Sequence, residues 1–505
     1  MDIKSYLQSN GPQLASSVSA WLELNGVSAE AARKRLSRTT APIRSFPVPL
    51  FPKGARFMYL QAERETERFW TALHRDLRST GSIYGIALDG LLARRGAVAS
   101  DSFAVISGAT AVPVKKQVMS ETVLNMLESA GLVGQSNYGD GLFTYIKPYA
   151  ISVPDTNGMK ARDAVERITL DALRDWARNV GAASFNQIAI RGEQQLVPVQ
   201  QFRFDMAGPS YLLPLRRSVQ THPGFLVADV FSDGTLDEFQ IRYFIRKAKA
   251  LHATLKGASV LPILVADGFT GAALKSGHAA GILMATPGTL FGRKIGDGLR
   301  RLLTTLTNAA AYASAETPDR IVGLVNTLAD IEGRSQNLRG PLFELIAAYL
   351  VRRDAVSIDM GVRATDPVTR EQADIDVLKV SKMAQEFVAI ECKAREPGGT
   401  VGVEEISRWL GKLKVIQNHL KQNRDREAVL SFELWTTGTF TPDALSLLQQ
   451  SKSQRTRTPI SWKAGADLVA YASIMREKAI ADVLKQHFLK HPLADLGCSL
   501  RAGEQ

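Results

Sequence analysis

One pattern constrains this chain more than any other: a strand-turn-helix phrase that occurs twice, each time inside the same longer order of elements. The phrases are VADGFTGAAL at 265–274 and TTGTFTPDAL at 436–445. Around the second, the sequence reads helix 341–351, strand 373–380, strand 386–394, helix 404–419, strand 431–441, helix 442–449 and strand 459–472. Around the first it reads helix 164–179, strand 201–208, strand 224–231, helix 236–256, strand 260–270, helix 272–277 and strand 281–292. Strands alternating with helices build a sheet covered by helices. Meeting that order twice predicts a duplicated α/β domain.

Length leaves room for more. At about 100–200 residues per domain, 505 residues imply three to four domains. Hydrophobic residues at 45% and charged residues at 22% are ordinary for a globular protein and exclude a disordered or collagen-like chain. Two cysteines, Cys392 and Cys498, cannot build a disulfide framework or a cysteine-rich zinc site, so a reducing cytoplasm is the expected location. The opening MDIKSYLQSNGPQ lacks a basic-then-apolar leader pattern, and charged residues interrupt every long apolar run, so no membrane span is expected. Lys and Arg outnumber Asp and Glu by 62 to 50, a surplus of 12 that suggests a polyanionic partner only if the charge is concentrated.

It is concentrated near the start. A helical stretch at 12–24 carries Leu14, Val18, Trp21 and Leu22 on one stripe and stops at Asn25-Gly26. Ser28 can cap a second helix at 29–39, where Arg33, Lys34, Arg35 and Arg38 face the single acid Glu30. The segment 43–59 then alternates as strands, with Pro47, Pro49, Pro52 and Gly54 marking a turn. Without further context this is a helical hairpin with a solvated basic face. The order helix, turn, basic helix, β-wing resembles the winged helix-turn-helix family, which implies DNA binding through Arg33, Lys34, Arg35 and Arg38. A second unit of similar shape is expected from helices at 84–95 and 118–130, Gly131, and a hairpin around Asn137, Gly139, Asp140 and Gly141.

The chemistry gathers in the C-terminal repeat. Asp376 lies in the strand ADIDVLKV, and Glu391-Cys392-Lys393 ends the strand FVAIECKA. Glu391 and Lys393 are two apart and share a strand face, while Cys392 points to the other. Clustered carboxylates repel, a hard divalent cation relieves them, and a nearby lysine can stabilise charge developing on phosphorus. Asp374 shares Asp376's side of the strand, and the choice between them stays open. Asp376, Glu391 and Lys393, preceded by a helix bearing Glu344, resemble the PD-(D/E)XK nuclease superfamily over about residues 338–475, with Ile375 where that signature has Pro. The resemblance implies Mg²⁺, or Mn²⁺ in its place, held by Asp376, Glu391 and the Cys392 carbonyl. It further implies Lys393 assisting the attacking water, Glu344 in support, and phosphate contacts from Lys412 and Lys414.

In the middle repeat Asp205 takes the place of Asp376, Asp229 that of Glu391, and Phe231 that of the lysine, so this copy is expected to be catalytically dead. The expected architecture is a multidomain α/β protein: winged-helix-like modules at 1–80 and 81–155, a degenerate restriction-endonuclease-like domain at 156–292, a helical connector at 293–336 and an active one at 337–505. The expected function is DNA endonuclease in prokaryotic restriction or anti-phage defence. The alternatives are a non-catalytic DNA-binding regulator or assembly subunit, and an RNase of the same fold. A homodimer is expected because one site per chain cuts one strand. Nothing matches G-x-x-x-x-G-K-[ST], so any ATP-driven step would belong to a separate ATPase or defence-system partner.

Overall fold

The computed structural model describes residues 2–115, 117–138, 141–147, 154–155, 158–193, 198–212, 223–255, 260–307, 322–323, 336–381, 386–423 and 429–489. The hairpin tip at Gly139 and Asp140, most of the 293–336 connector, and Cys498 lie outside the described residues. The chain is a multidomain α/β protein that divides into two compact units, one holding 1–137, 141–160 and 176–286, the other 138–140, 161–175 and 287–505.

The first unit begins with α1 (Ile3–Asn10), β1 (Gln13–Leu14), α2 (Ala15–Leu24), α3 (Ala29–Ser37), β2 (Ile43–Ser45) and β3 (Phe57–Leu60), whose strands form an antiparallel sheet in the order β1-β3-β2. Ser28 caps α3 by accepting the Ala31 N–H at 3.3 Å. Ala32 and Leu36 anchor the helix in a small core with Val18 and Leu22, which turns Arg33, Lys34, Arg35 and Arg38 out to solvent. Next comes α4 (Glu67–Ser79), a helix the sequence reading did not anticipate. It buries Phe69, Trp70, Leu73 and Leu77 at helical spacing behind a Thr66 cap.

The same plan then recurs. The elements α5 (Ile83–Ala93), β4 (Ala97–Ala99), α6 (Phe103–Ile106), α7 (Ser120–Ser129), β5 (Val133–Tyr138) and β6 (Gly141–Ile146) again place the last strand between the other two, in the order β4-β6-β5. A long helix follows, α8 (Met159–Asn179), whose Ala161, Val165 and Ile168 belong to the core of the second unit.

The rest of the first unit is a five-stranded sheet made of β7 (Ala189–Ile190), β8 (Met206–Ser210), β9 (Gly224–Val230), β11 (Val260–Val265) and β13 (Leu283–Ala285), in the order β7-β8-β9-β11-β13. Between them lie β10 (Thr235–Leu236), α9 (Arg242–Thr254), β12 (Gly268–Phe269) and α10 (Gly271–Ala279). The first three strands are antiparallel and the last two join in parallel. The sequence-predicted strand at 281–292 ends at Ala285, because Pro287 opens the helix α11 (Pro287–Phe291). A further helix, α12 (Arg293–Thr307), belongs to the second unit.

The second unit repeats that sheet. After α13 (Gln336–Val351) come β14 (Ala355–Thr365), β15 (Gln372–Ser381), β16 (Glu386–Lys393), β17 (Thr400–Val401), α14 (Val403–Asn423), β18 (Val429–Thr436), β19 (Thr439–Phe440), α15 (Pro442–Gln454) and β20 (Ile460–Lys463). The order β14-β15-β16-β18-β20 is antiparallel through β16 and parallel beyond it. Each sheet has a small parallel satellite, β10 with β12 and β17 with β19. Thr270 and Thr441 cap the following helices identically, on Ala273 and Ala444, which explains the recurring phrase. The expected strand at 459–472 stops at Lys463. Asp467 there accepts the Ala464 N–H at 2.9 Å and starts α16 (Gly465–Ile474). Among the described residues no helix is long and apolar enough to cross a membrane.

Candidate active site and its enclosed counterpart

In the second unit, β15 and β16 pair from Val380↔Phe387 to Val377↔Ile390 and then part. The next opposed positions are Asp376 and Glu391. On the other side of β15, the register running from Met360↔Val377 to Val362↔Ile375 places Gly361 opposite Asp376, and its φ of +61° is a bend that favours glycine. Asp376 thus stands where regular pairing lapses on both flanks. Its Oδ2 accepts the Cys392 N–H at 2.7 Å, which ties the acid to the end of β16.

Alternation along β16 sorts the triplet. Val388, Ile390 and Cys392 join the core that includes Phe343 and Trp435, leaving Glu391 and Lys393 on the opposite face. Lys393 Nζ donates to Glu391 Oε1 at 2.7 Å, with the lysine side chain 29% exposed and the glutamate 9%. Thr436 fixes the backbone beneath by donating to the Lys393 carbonyl at 2.8 Å. Burial pushes the Lys393 ammonium down, yet the charge and hydrogen bond of Glu391, with Asp376 and Glu405, outweigh it and raise its pKa. The Cys392 thiol is pushed well up, first by burial and then by the charges of Asp376, Glu344 and Glu391. Glu344, on α13, therefore lies within electrostatic reach of the same spot. The sequence-predicted Asp376, Glu391 and Lys393 come together at the end of the β15–β16 ladder, and Glu344 contributes charge to the same environment. Asp374 faces Arg363 across the ladder to β14.

The first unit carries the same backbone arrangement. Pairing of β8 and β9 ends at Met206↔Ala228, and the next opposed positions are Asp205 and Asp229. Asp205 Oδ2 accepts the Val230 N–H at 3.0 Å, the counterpart of the Asp376–Cys392 bond. What surrounds the acids differs. Lys247 Nζ lies 2.6 Å from Asp229 Oδ2, and the Tyr243 hydroxyl donates to the same oxygen at 3.0 Å. Arg94 reaches Asp205 Oδ2 at 2.7 Å, and Arg191 lies 3.4 Å from Oδ1. Lys247 places its remaining protons on the carbonyls of Val105 and Arg203 at 2.9 and 2.8 Å. Both aspartates and the lysine are wholly enclosed. Phe231 occupies the position of Lys393, its ring 4.9 Å from the Arg94 guanidinium.

Burial drives the electrostatics of this cluster. It raises the Asp229 carboxyl, against the pull of Lys247, and lowers the Lys247 ammonium, against that of Asp229. Burial also opposes ionisation of Asp205, but Arg191 and Arg94 prevail and its pKa is lowered. The sequence reading missed Lys247, Tyr243, Arg94 and Arg191. A signal for one of them existed: Lys247 lies within the buried stripe Tyr243, Phe244, Lys247, Ala248 and Leu251 of α9, where an unpartnered ammonium could not survive.

The remaining candidates are peripheral. Lys414 is exposed on α14, whereas Lys412 is half-buried. Among the described residues no three or more His, Cys, Asp or Glu side chains are grouped so as to hold a metal ion. At the open site Asp376 Oδ2 is bonded to the Cys392 N–H, and Glu391 Oε1 to Lys393 Nζ.

No family model matches the chain, and no curated protein matches it significantly. Among solved structures, one titled "Crystal Structure of Protein of Unknown Function AF1548" is 14% identical over 24% of this chain and 54% of its own, with a TM-score of 0.18. The chain thus spans about half the length of that protein, and a superposition this poor bears on neither fold nor function.

Proposed function

We propose that this chain is a divalent-metal-dependent DNA endonuclease of the PD-(D/E)XK type, acting through Asp376, Glu391 and Lys393. The observation that carries the reading is the convergence of these residues where β15 and β16 part, with Asp376 tied to the Cys392 N–H and Lys393 to Glu391. Two carboxylates and the Cys392 carbonyl form a hard, all-oxygen donor set, which fits Mg²⁺ and, in substitution, Mn²⁺; the ion's other ligands would be waters. When bound, such an ion supplies Lewis acidity toward a phosphodiester. The chain's own residues do the rest. The Cys392 N–H orients Asp376, Glu344 adds negative charge from α13, and Lys393, kept protonated by the surrounding acids, presents positive charge to the phosphorus centre.

The two N-terminal repeats of helix, strand, helix, helix and hairpin support winged-helix modules. The exposed cations of α3 would grip duplex phosphates, with Lys412 and Lys414 as lesser contacts, and phosphate contacts position without naming bases. The first five-stranded sheet is a nuclease-like domain whose acid pair has become structural. A role in prokaryotic restriction or anti-phage defence, a dimer that cuts both strands, and a separate ATPase or defence-system partner complete the proposal. A second reading, a non-catalytic DNA-binding regulator or assembly subunit, draws on the pairing of Glu391 with its own Lys393 and on the lack of a third converging ligand among the described residues.

One assay separates these readings. Supercoiled plasmid and a matching RNA are incubated with the full chain and Mg²⁺ or Mn²⁺, beside Lys393→Ala. Nicking of the plasmid that disappears in the variant is the expected result. RNA cleavage alone would move the substrate to RNA. DNA binding with no cleavage under either ion would establish the regulator.

A further inference from the structure

The first unit contains a cleft that neither the acid site nor α3 explains. It has a volume of about 740 Å³ and lies between the end of α4, the start of α5, and α9. Arg242, Arg246 and Lys249 line it from α9 at spacings of four and three residues, which places them along one helix face. At a rise of about 1.5 Å per residue they span roughly 10 Å. Arg246 and Lys249 are exposed, Arg242 is half-buried, and among the described residues no carboxylate forms an ion pair with any of the three. Their contacts are to neutral groups: Arg242 donates to the Arg78 carbonyl at 3.0 Å and Arg246 to the Gly108 carbonyl at 3.1 Å. Arg78 also lines the cleft, but Asp89 neutralises it at 2.6 Å.

Three cations in a row without counter-charge repel one another, and the arrangement is stable when an anion of similar length lies along it. Guanidinium groups suit phosphate oxygens in particular. Among the described residues that line the cleft there is no carboxylate and no aromatic ring. The nearby Phe239 ring is already in contact with the guanidinium groups of Arg78 and Arg242, each 4.4 Å from its centre. Nothing in the cleft is therefore placed to stack on a base, and the phosphates are the part that would be recognised. We propose that the cleft is a second phosphate-binding track that holds the backbone of a nucleic-acid strand through Arg242, Arg246 and Lys249. The inference rests on nucleic acid as the partner but not on cleavage.

The test measures binding of labelled single- and double-stranded oligonucleotides to the full chain in EDTA, by fluorescence anisotropy across a salt series. The variants are Lys249→Gln alone and with Arg246→Gln, the single variant sparing the Arg246–Gly108 bond; Lys249→Arg is the rescue. Each removed cation should lower the slope of log affinity against log salt by about 1, and Lys249→Arg should restore it. A normal slope in both variants while the parent binds overturns the track and leaves the nuclease reading intact. Slopes that change as expected while the parent chain fails to nick plasmid with Mg²⁺ or Mn²⁺ do the reverse: the track stands and the nuclease reading falls. A third arm uses ATP and inorganic triphosphate as ligands. If they bind in a Lys249-dependent way and strand affinity is unaltered, the site takes a small polyphosphate and the strand assignment falls.

Discussion

The two five-stranded sheets are built alike and used differently. Each brings two acids face to face one step beyond the end of an antiparallel ladder, and in each an acid accepts the N–H of the residue that follows its partner. In the first unit Asp205 and Asp229 meet three cations, Arg94, Arg191 and Lys247, inside a shell that excludes water. In the second, Glu391 pairs with Lys393 at 2.7 Å, and that lysine is partly exposed. Enclosure with internal counter-ions makes an acid pair a structural joint. A carboxylate whose counter-ion reaches solvent can exchange that lysine for another cation. The N-terminal modules divide in the same way: α3 presents cations to solvent, while α7 carries Glu121 and Glu128 and no Lys or Arg.

The largest expected effect breaks the enclosed pair. Asp229→Ala leaves Lys247 charged and buried, which should destabilise the protein by about 3–5 kcal/mol. That corresponds to a fall in Tm on the order of 10 °C for a unit of this size, read by calorimetry. Glu391→Gln, the corresponding change in the second unit, should leave Tm within about 2 °C, because Lys393 can turn to water. Equal losses in the two variants would dissolve the distinction between joint and site.

The next effect is the converse. Lys393→Ala should reduce plasmid nicking by about 100-fold or more with little change in melting. Substituting Lys247 by Met together with Asp229→Asn should restore folding and leave nicking unaltered, because a buried pair replaced on both sides is often tolerated. Retained nicking in Lys393→Ala, or its loss in the double variant, would reverse the assignment of the two sheets.

A smaller effect tests the modules. Replacing Arg33, Lys34, Arg35 and Arg38 by Gln should weaken duplex binding and reduce its salt dependence by up to about 4 in slope. Replacing Glu121 and Glu128 on α7 should leave that slope unaltered; a comparable change from either helix would make the charge contrast between the modules irrelevant to binding.

The acid-acid-lysine constellation was legible because its members sit two residues apart or on neighbouring strands, where spacing alone predicts convergence. The repeat was legible because strand, turn and capping Thr recur in one phrase. What escaped had physical reasons. β14 is the exception: in AVSIDMGVRAT the apolar Val356, Ile358, Met360, Val362 and Ala364 alternate with Ser357, Asp359, Gly361, Arg363 and Thr365, so this edge strand was readable from period-two spacing. Lys247 and Arg94 meet the aspartates only in three dimensions, Arg94 from a position 111 residues before Asp205. The strands drawn at 281–292 and 459–472 ran through Pro287 and Asp467, two helix-start residues whose local signal was overridden by the apolar residues beyond them.

The finest contrast is between the lysines themselves. Lys393 is held above its ordinary value of 10.5 and Lys247 below it. Native Lys393 therefore contributes stability that is fully present below pH 10.5 and is lost as pH rises through its raised pKa. For Lys247 the sign reverses: between its lowered pKa and 10.5 the unfolded chain binds more protons, so stability rises with pH. Melts from pH 9 to 11 should separate the two by difference, with Lys393→Met removing a falling component and the Lys247→Met, Asp229→Asn pair removing a rising one. If both substitutions altered the alkaline slope in the same direction, the two lysines would share one electrostatic environment, and the enclosed sheet would have to be reconsidered as a second reactive one.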